Sequence, residues 1–523
     1  ATMSAVKRRL TLLLGLPGAL LAAAAVASDA RMDPRIFAGK AVEETASFLV
    51  VMREQADLSG AEAFAAKPDK ARFVYEALSS LAESSQAALR ADLDAKGIPY
   101  RSLYLVNMIE VVGTRSVAEE LAARPDVSAV AVNPEVPMEP QPIVVEASPS
   151  ASRLSPSAVA TVEPNIAKIG APDVWSRGFT GVGIVVGDSD TGVQWDHPAL
   201  KTHYRGFDGV NVSHDYNWHD AIHNAATGNP CGSDSPTPCD DDGHGTSTAS
   251  LTVGDDGAGN QIGVAPGAKF ISCRNMDRGN GTPARYTECF QFMVAPTDHN
   301  GANPRPDLGA DVINNSWGCP TSEGCTDPNV LKSIVENVRA AGIVVVVSAG
   351  NGGPACATIS DPPAFYDAVF SVGATSNTDA IAGFSSRGPI TADGSNRLKP
   401  DISAPGVNTR VARPGGTYTA AFSGTSASGP HVTGAIALLF SAAPQYLGQV
   451  TATISLLEKT AVALTSTQDC GGFPGSAIPN AVFGFGRLNI SAAVNLANPP
   501  ARPKAVLSPR RGGTRVLAPR KNL

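Results

Sequence analysis

Charge is scarce in this chain: 17% of its 523 residues are Asp, Glu, Lys or Arg, against 43% hydrophobic. That balance excludes a disordered, charge-swollen polymer. The length exceeds what one hydrophobic core usually supports, so two folded domains with processed or loose ends are expected. An excess of positive charge is missing too. A formal net charge of -7 and a pI near 5.7 leave no electrostatic footprint for nucleic acid or an anionic membrane surface. Long apolar runs are lacking after the first stretch, where nothing approaches about 18 uninterrupted apolar residues, so no stable membrane insertion is expected after processing. Cysteine is absent until residue 231, and none of the eight cysteines stands in paired CxxC spacing, which argues against a zinc site.

What is present begins with Lys7, Arg8 and Arg9 ahead of an apolar run from Leu10 to Val26 that ends in Ala25-Val26-Ala27. This is the pattern of an export signal cut after Ala27, so residues 1–27 are expected to be removed. Pro17, Gly18 and the small residues make the run a poor membrane anchor; the adjacent arginines are only a weak twin-arginine pattern. An even number of cysteines in an exported chain implies disulfides. Close spacing favours Cys231 with Cys239, Cys273 with Cys289 and Cys319 with Cys325, leaving Cys356 for Cys470.

Residues 46–52 read as a strand, 70–95 as a helix, 100–106 and 108–113 as strands, 116–123 as a helix and 127–132 as a strand. That order suits a small α+β ferredoxin-like domain over 44–137. A linker, exposed and cuttable, follows at 138–164, in a stretch carrying Pro134, Pro137, Pro140, Pro142, Pro149 and Pro156. From 165 to 498, apolar runs at 182–188, 269–274, 311–316 and 343–348 alternate with helical patterns, among them 329–341 stopping at Gly342. An α/β domain follows, its mostly parallel sheet covered by helices on both faces. In such sheets, reactive residues gather where strands end and helices begin. Residues 499–523 hold seven Lys or Arg and little to bury, a basic tail.

Four motifs carry chemistry. Asp190-Thr191-Gly192 closes the first of those strands, where a carboxylate can take the Nδ1 proton of a histidine and fix its tautomer. No second Asp-Thr-Gly or Asp-Ser-Gly exists to make an aspartic dyad. Gly243-His244-Gly245-Thr246 starts a helix, with glycines that permit close approach to the imidazole. Gly424-Thr425-Ser426 precedes an apolar helix whose first turn tolerates Pro430, and its dipole favours a nucleophile that must become an oxyanion. Ser348-Ala349-Gly350-Asn351 ends a strand, and the Asn351 amide, with the Ser426 N–H, can donate to charge developing on a carbonyl oxygen. Alone, Ser426 would pass for a helix N-cap and Asn351 for a turn residue.

Together, in this order and with Pro430-His431-Val432, the motifs resemble the subtilisin-like serine peptidases, the subtilases, over residues 165–497. Within them, Asp190-Thr191-Gly192-Val193-Gln194-Trp195-Asp196-His197-Pro198, Cys273-Arg274-Asn275-Met276-Asp277 and Asn314-Asn315-Ser316-Trp317-Gly318-Cys319 are similar to the bacillopeptidase F-like group. The resemblance implies a doubly wound subtilisin-like fold and a secreted endopeptidase that cuts proteins and peptides through an acyl-enzyme. It also implies a propeptide that serves as intramolecular inhibitor and a precursor that processes itself. Asp190 would orient His244, His244 would take the proton of Ser426, and Asn351 would hold the oxyanion. Ser316, Trp317 and Gly318 would pair with the substrate backbone; Ser348, Ala349 and Gly350 would line the pocket for the residue before the cut. No cofactor is expected for catalysis, and a monomer is expected. Structural calcium is common in the family, and Asp240, Asp241, Asp242, Asp255 and Asp256 offer oxygen ligands, though such a run is equally a solvated loop.

Some positions depart from the family. Ala427 follows the nucleophile where most members have methionine, Ser247 replaces a histidine, and Ser189 replaces an apolar residue; Asp188, a neighbouring carboxylate, is read as pointing away from the site. His214, His219 and His223 with Asp215 and Asp220 lack His-Glu-x-x-His spacing, against a metallopeptidase. A catalytically inactive, peptide-binding relative is the reading of another class.

Overall fold

The computed structural model of the chain describes residues 31–142, 161–320, 325 and 327–500; the export signal, most of the linker and nearly all of the basic tail lie outside them. The small domain runs β1 (Ala46–Met52), α1 (Lys67–Lys96), β2 (Tyr100–Leu103), β3 (Met108–Gly113), α2 (Arg115–Ala123), β4 (Val127–Val132). Its antiparallel sheet has the order β2-β3-β1-β4, the βαββαβ arrangement that the sequence pattern predicts. Alternation sets the register: Phe48 faces Val111 and Val50 faces Ile109, and this buried face meets Leu89, Leu93, Ala118 and Leu121. α1 stops where Gly97 adopts φ 64° and its N–H closes on Asp94 O. The domain reaches back beyond residue 44, since Met32, Ile36 and Phe37 belong to the same core.

A short strand, β5 (Val136–Pro137), leads out of it. The large domain then supplies β6 (Val185–Asp190), β7 (Trp218–Asp220), α3 (His244–Val253), β8 (Lys269–Arg274), β9 (Met276–Asp277), β10 (Asn280–Gly281), α4 (Pro283–Val294), β11 (Val312–Asn315), α5 (Lys332–Ala340), β12 (Val344–Ser348), β13 (Phe370–Thr375), β14 (Ile402–Pro405), β15 (Thr409–Arg413), β16 (Thr417–Phe422) and α6 (Thr425–Ala442). Seven strands form one parallel sheet, β14-β13-β12-β11-β6-β8-β7. Its two faces are both dry: Val344 and Val346 pack with Val432, Ile436 and Leu439 of α6, while Val345 and Val347 pack with Phe290 and Met293 of α4 and Val335 of α5. The strand expected at 182–188 starts at Val185, because Gly181 and Gly183, at φ 96° and 86°, turn the chain and leave Val182 exposed.

The two domains share one apolar cluster. Val74 and Leu78 from the first half of α1 belong to the same buried group as Phe290, Ile313 and Val335, while Leu89 and Leu93 from its second half serve the small domain. Lys67 at the start of α1 is buried, donates to Gly309 O at 2.7 Å and pairs with Asp311 at 3.4 Å. All four cysteine pairs take the connectivity that spacing favours: 231–239, 273–289, 319–325 and 356–470. No helix among the described residues is long and apolar enough to cross a membrane.

Candidate active site

β6 lies between β11 and β8, where the strand order turns back on itself, and such a crevice at the carboxyl ends of parallel strands is where side chains from distant segments converge. Asp190 is the last residue of β6 and His244 the first of α3; both are buried, and Nδ1 of the imidazole lies 2.7 Å from Asp190 Oδ1. The same oxygen accepts the Thr191 N–H at 2.7 Å. The helix comes this close because residue 245 has no side chain: a Cβ there would stand 2.0 Å from Gly192 O. Burial alone would lower the imidazole's pKa, but the charge and hydrogen bond of Asp190, helped by Asp242 and Asp240, raise it above the ordinary histidine value. Its Nε2 is buried with no hydrogen-bond partner.

Ser426 is the second residue of α6, behind Gly424 at φ 144°. Its Oγ donates to Ser316 O at 3.3 Å, so the bond to His244 Nε2 is not made in this conformation. Pro430 stands in the second turn of the helix, a correction to its expected place in the first. Having no N–H, it leaves the Ser426 carbonyl without its helical donor, and the Ser316 hydroxyl fills that role at 3.3 Å. Asn351 is fixed by its Oδ1, which accepts from the Thr425 N–H at 2.9 Å and hydroxyl at 3.0 Å.

Ser316, Trp317, Gly318, Ser348, Ala349, Gly350 and Asn351 line one pocket with Ser426, and Asp361 and Ala364 complete its wall. Trp317 is tied on its indole side as well. It stacks on Tyr286 with ring centres 3.8 Å apart and donates to Ser189 O at 2.9 Å, tying this wall to β6.

Asp188 is a correction. Residues two apart on a strand share a face, and Asp188 lies on the side of Asp190, under Thr248 of α3, whose hydroxyl donates to it at 3.2 Å. Burial and then the charge of Asp190 push its pKa well above the usual carboxylate range, against the Asn314 and Thr248 hydrogen bonds. Ser189 accepts from Asn275 at 2.8 Å and Ser247 donates to Gly243 O and Ala412 O, so both departures are satisfied by hydrogen bonds.

The chain's own segment occupies the cleft. β5 pairs antiparallel with β10, and the Met138 N–H donates to Gly279 O at 2.7 Å. Met138 and Glu139 reach the pocket, and Pro137 to Gln141 line the groove in front of His244. The Asn351 N–H donates to Glu139 Oε2 at 3.0 Å. Strand pairing is thus made here by residues 280–281. Neither Asn280-Gly281 nor Asp361 is singled out by the sequence; the turn signal Asp277-Arg278-Gly279-Asn280-Gly281, with Arg278 at φ 48°, is the one clue to the former.

Four carboxylates of the acidic run have partners within the chain. Asp240 is taken by Thr191, Gly243 and Thr246, Asp241 by Asn229 and Arg274, and Asp255 and Asp256 close their own turn. His219 and His223 both bond Glu288 and His214 bonds Tyr204, while Asp220 pairs with Arg274 and Asp215 with His299. Among the described residues no group of three or more His, Cys, Asp or Glu could hold a metal ion.

Sequence comparison places the chain in a family: the profile of the subtilase family matches residues 181–486, and the chain belongs to that family. Among its relatives, bacillopeptidase F of Bacillus subtilis (strain 168) is 38% identical over 407 residues, which cover 75% of this chain and 26% of that protein. Subtilisin E of the same strain is 30% identical over 283 residues, 54% of this chain and 61% of that one. Subtilisin of Bacillus pumilus is 30% identical over 283 residues, 54% of this chain and 85% of that one. The chain therefore spans about a quarter of the first relative and less than two thirds of the second.

Proposed function

We propose that the chain is a secreted serine endopeptidase, with Asp190, His244 and Ser426 as its triad and protein or peptide substrates. The observation that carries this reading is the buried Asp190–His244 hydrogen bond of 2.7 Å, which leaves Nε2 without a partner and open to a serine proton. Rotation of the Ser426 side chain from Ser316 O toward Nε2 arms the nucleophile. His244 accepts the proton as Oγ attacks the carbonyl carbon, Asp190 steadies the imidazolium, and His244 returns the proton to the leaving amine. The Ser426 N–H, free of helical acceptors at the second position of α6, and the Asn351 amide donate to the oxyanion. Water then repeats the sequence on the acyl-enzyme.

In the same proposal the small domain is an inhibitory propeptide and the precursor cuts itself in the linker. Support comes from β5, which adds to β10 as a substrate strand would, and from Glu139 at the mouth of the pocket. One observation favours a second reading, an inactive peptide-binding relative: Ser426 Oγ is held by Ser316 O and not by His244. Labelling by a serine-directed fluorophosphonate separates the two. A label on Ser426, lost in Ser426→Ala, supports the enzyme; an unlabelled protein that still binds peptides supports the relative.

A further inference from the structure

The pocket beside Ser426 is built of neutral groups on nearly every side: the backbone of Ser348 to Gly350, Gly318 and Ala364. The exception contributed by the large domain is the carboxylate of Asp361. Its Oδ1 accepts the Ser360 hydroxyl at 2.9 Å, and no Lys, Arg or His among the described residues forms an ion pair with it. Its Oδ2 stands beside Gly318, where a Cβ would be 3.6 Å away, and Asp361 lines the pocket. A half-buried carboxylate with no counter-ion is costly, and a cation that arrives with the substrate removes the cost. Burial raises the Asp361 pKa to about 6, with the Ser360 hydroxyl pulling it down and the charge of Glu139 pushing it up, so at the alkaline pH where a neutral His244 works it is ionised.

We propose that Asp361 makes this pocket select a positively charged side chain, lysine or arginine, for the residue before the cut. The inference rests on the peptidase reading, since it is that reading that makes the pocket the site of the residue before the cut. The chain's own occupant is then a mismatch. Glu139 brings a charge of the same sign as Asp361, and its carboxylate is held by the Asn351 N–H; the residue after it is Pro140, whose nitrogen carries no proton. The segment fills the cleft by strand pairing through β5 while offering the pocket a side chain that it does not select.

The experiment uses the full chain, incubated until its own processing is complete, and fluorogenic peptides that differ only in the residue before the cut: Arg, Lys, Leu or Glu. At pH 8, kcat/KM for Arg and Lys exceeds that for Leu and Glu by at least about tenfold, and both Asp361→Asn and Asp361→Ser collapse the Arg-to-Leu ratio by about tenfold or more while raising the relative rate on Glu. Should Asp361→Asn fail to fold, Asp361→Ser and the wild-type profile decide alone. A wild-type preference for Leu, or ratios unmoved in both variants, overturns the assignment of Asp361 while fluorophosphonate labelling of Ser426 leaves the peptidase reading standing. No label and no hydrolysis of any peptide overturns both.

Discussion

At the scale of single residues, the proposed chemistry turns on a handful of atoms. Replacing Asp190 by Asn removes the group that fixes the imidazole tautomer, and kcat should fall about 10,000-fold in a peptide assay. Asn351→Leu deletes one oxyanion donor and should cost about 100- to 1,000-fold in kcat with little change in KM. The rate should rise with pH as His244 loses its proton. Because Asp190 holds the His244 pKa up, the acid limb of kcat/KM should lie above pH 6.5, and the residual activity of Asp190→Asn should show that limb moved to lower pH. Ala427 is fully buried beside Leu251 and Phe422 and carries no sulfur. Activity should therefore survive peroxide, and Ala427→Met should make it fall; rapid loss in the wild type would show that another residue is the oxidation target.

At the scale of elements, Pro430 shapes the hydrogen bonding at the start of α6. Restoring an N–H there, as in Pro430→Ala, lets the Ser426 carbonyl return to a helical bond and deprives the Ser316 hydroxyl of its acceptor. Much at this scale is legible in the sequence. The run Val344 to Val347 has to be a strand buried on both faces, and the strand-helix-strand-strand-helix-strand order over 46–132 points to a ferredoxin-like small domain. Gly243, Gly245 and Gly424 announce close packing at the helix starts. What is not legible depends on loops from elsewhere. Asp361 follows no motif, and its place in the pocket is set by a turn through Pro362 and Pro363 that sequence does not locate in space. The pairing edge at Asn280 reads only as a turn. The misread side of Asp188 is of another kind, since strand parity places it with Asp190 and only the burial of two carboxylates together is unexpected.

At the scale of the whole molecule, the large sheet is parallel and joins strands distant in sequence, a topology that folds slowly. Residues 161–500 alone should regain activity from denaturant much more slowly than the same stretch with residues 31–142 present, as read by the recovery of fluorophosphonate labelling. Equal rates would remove the case for a folding helper. Lys67 ties the domains at their buried boundary, and Lys67→Ala leaves Asp311 without its cation. The Ser426→Ala precursor should lose about 3 kcal/mol in denaturant unfolding as a result.

That boundary also bears on the proposed self-processing. Val74 and Leu78 are embedded among side chains of the other body, and scission of the peptide bond downstream removes none of those contacts. If the precursor cuts itself as proposed, cutting and liberation are separate events: the severed precursor should stay silent until its former head peels off or is digested, and the onset of turnover should lag behind the appearance of the cleaved band.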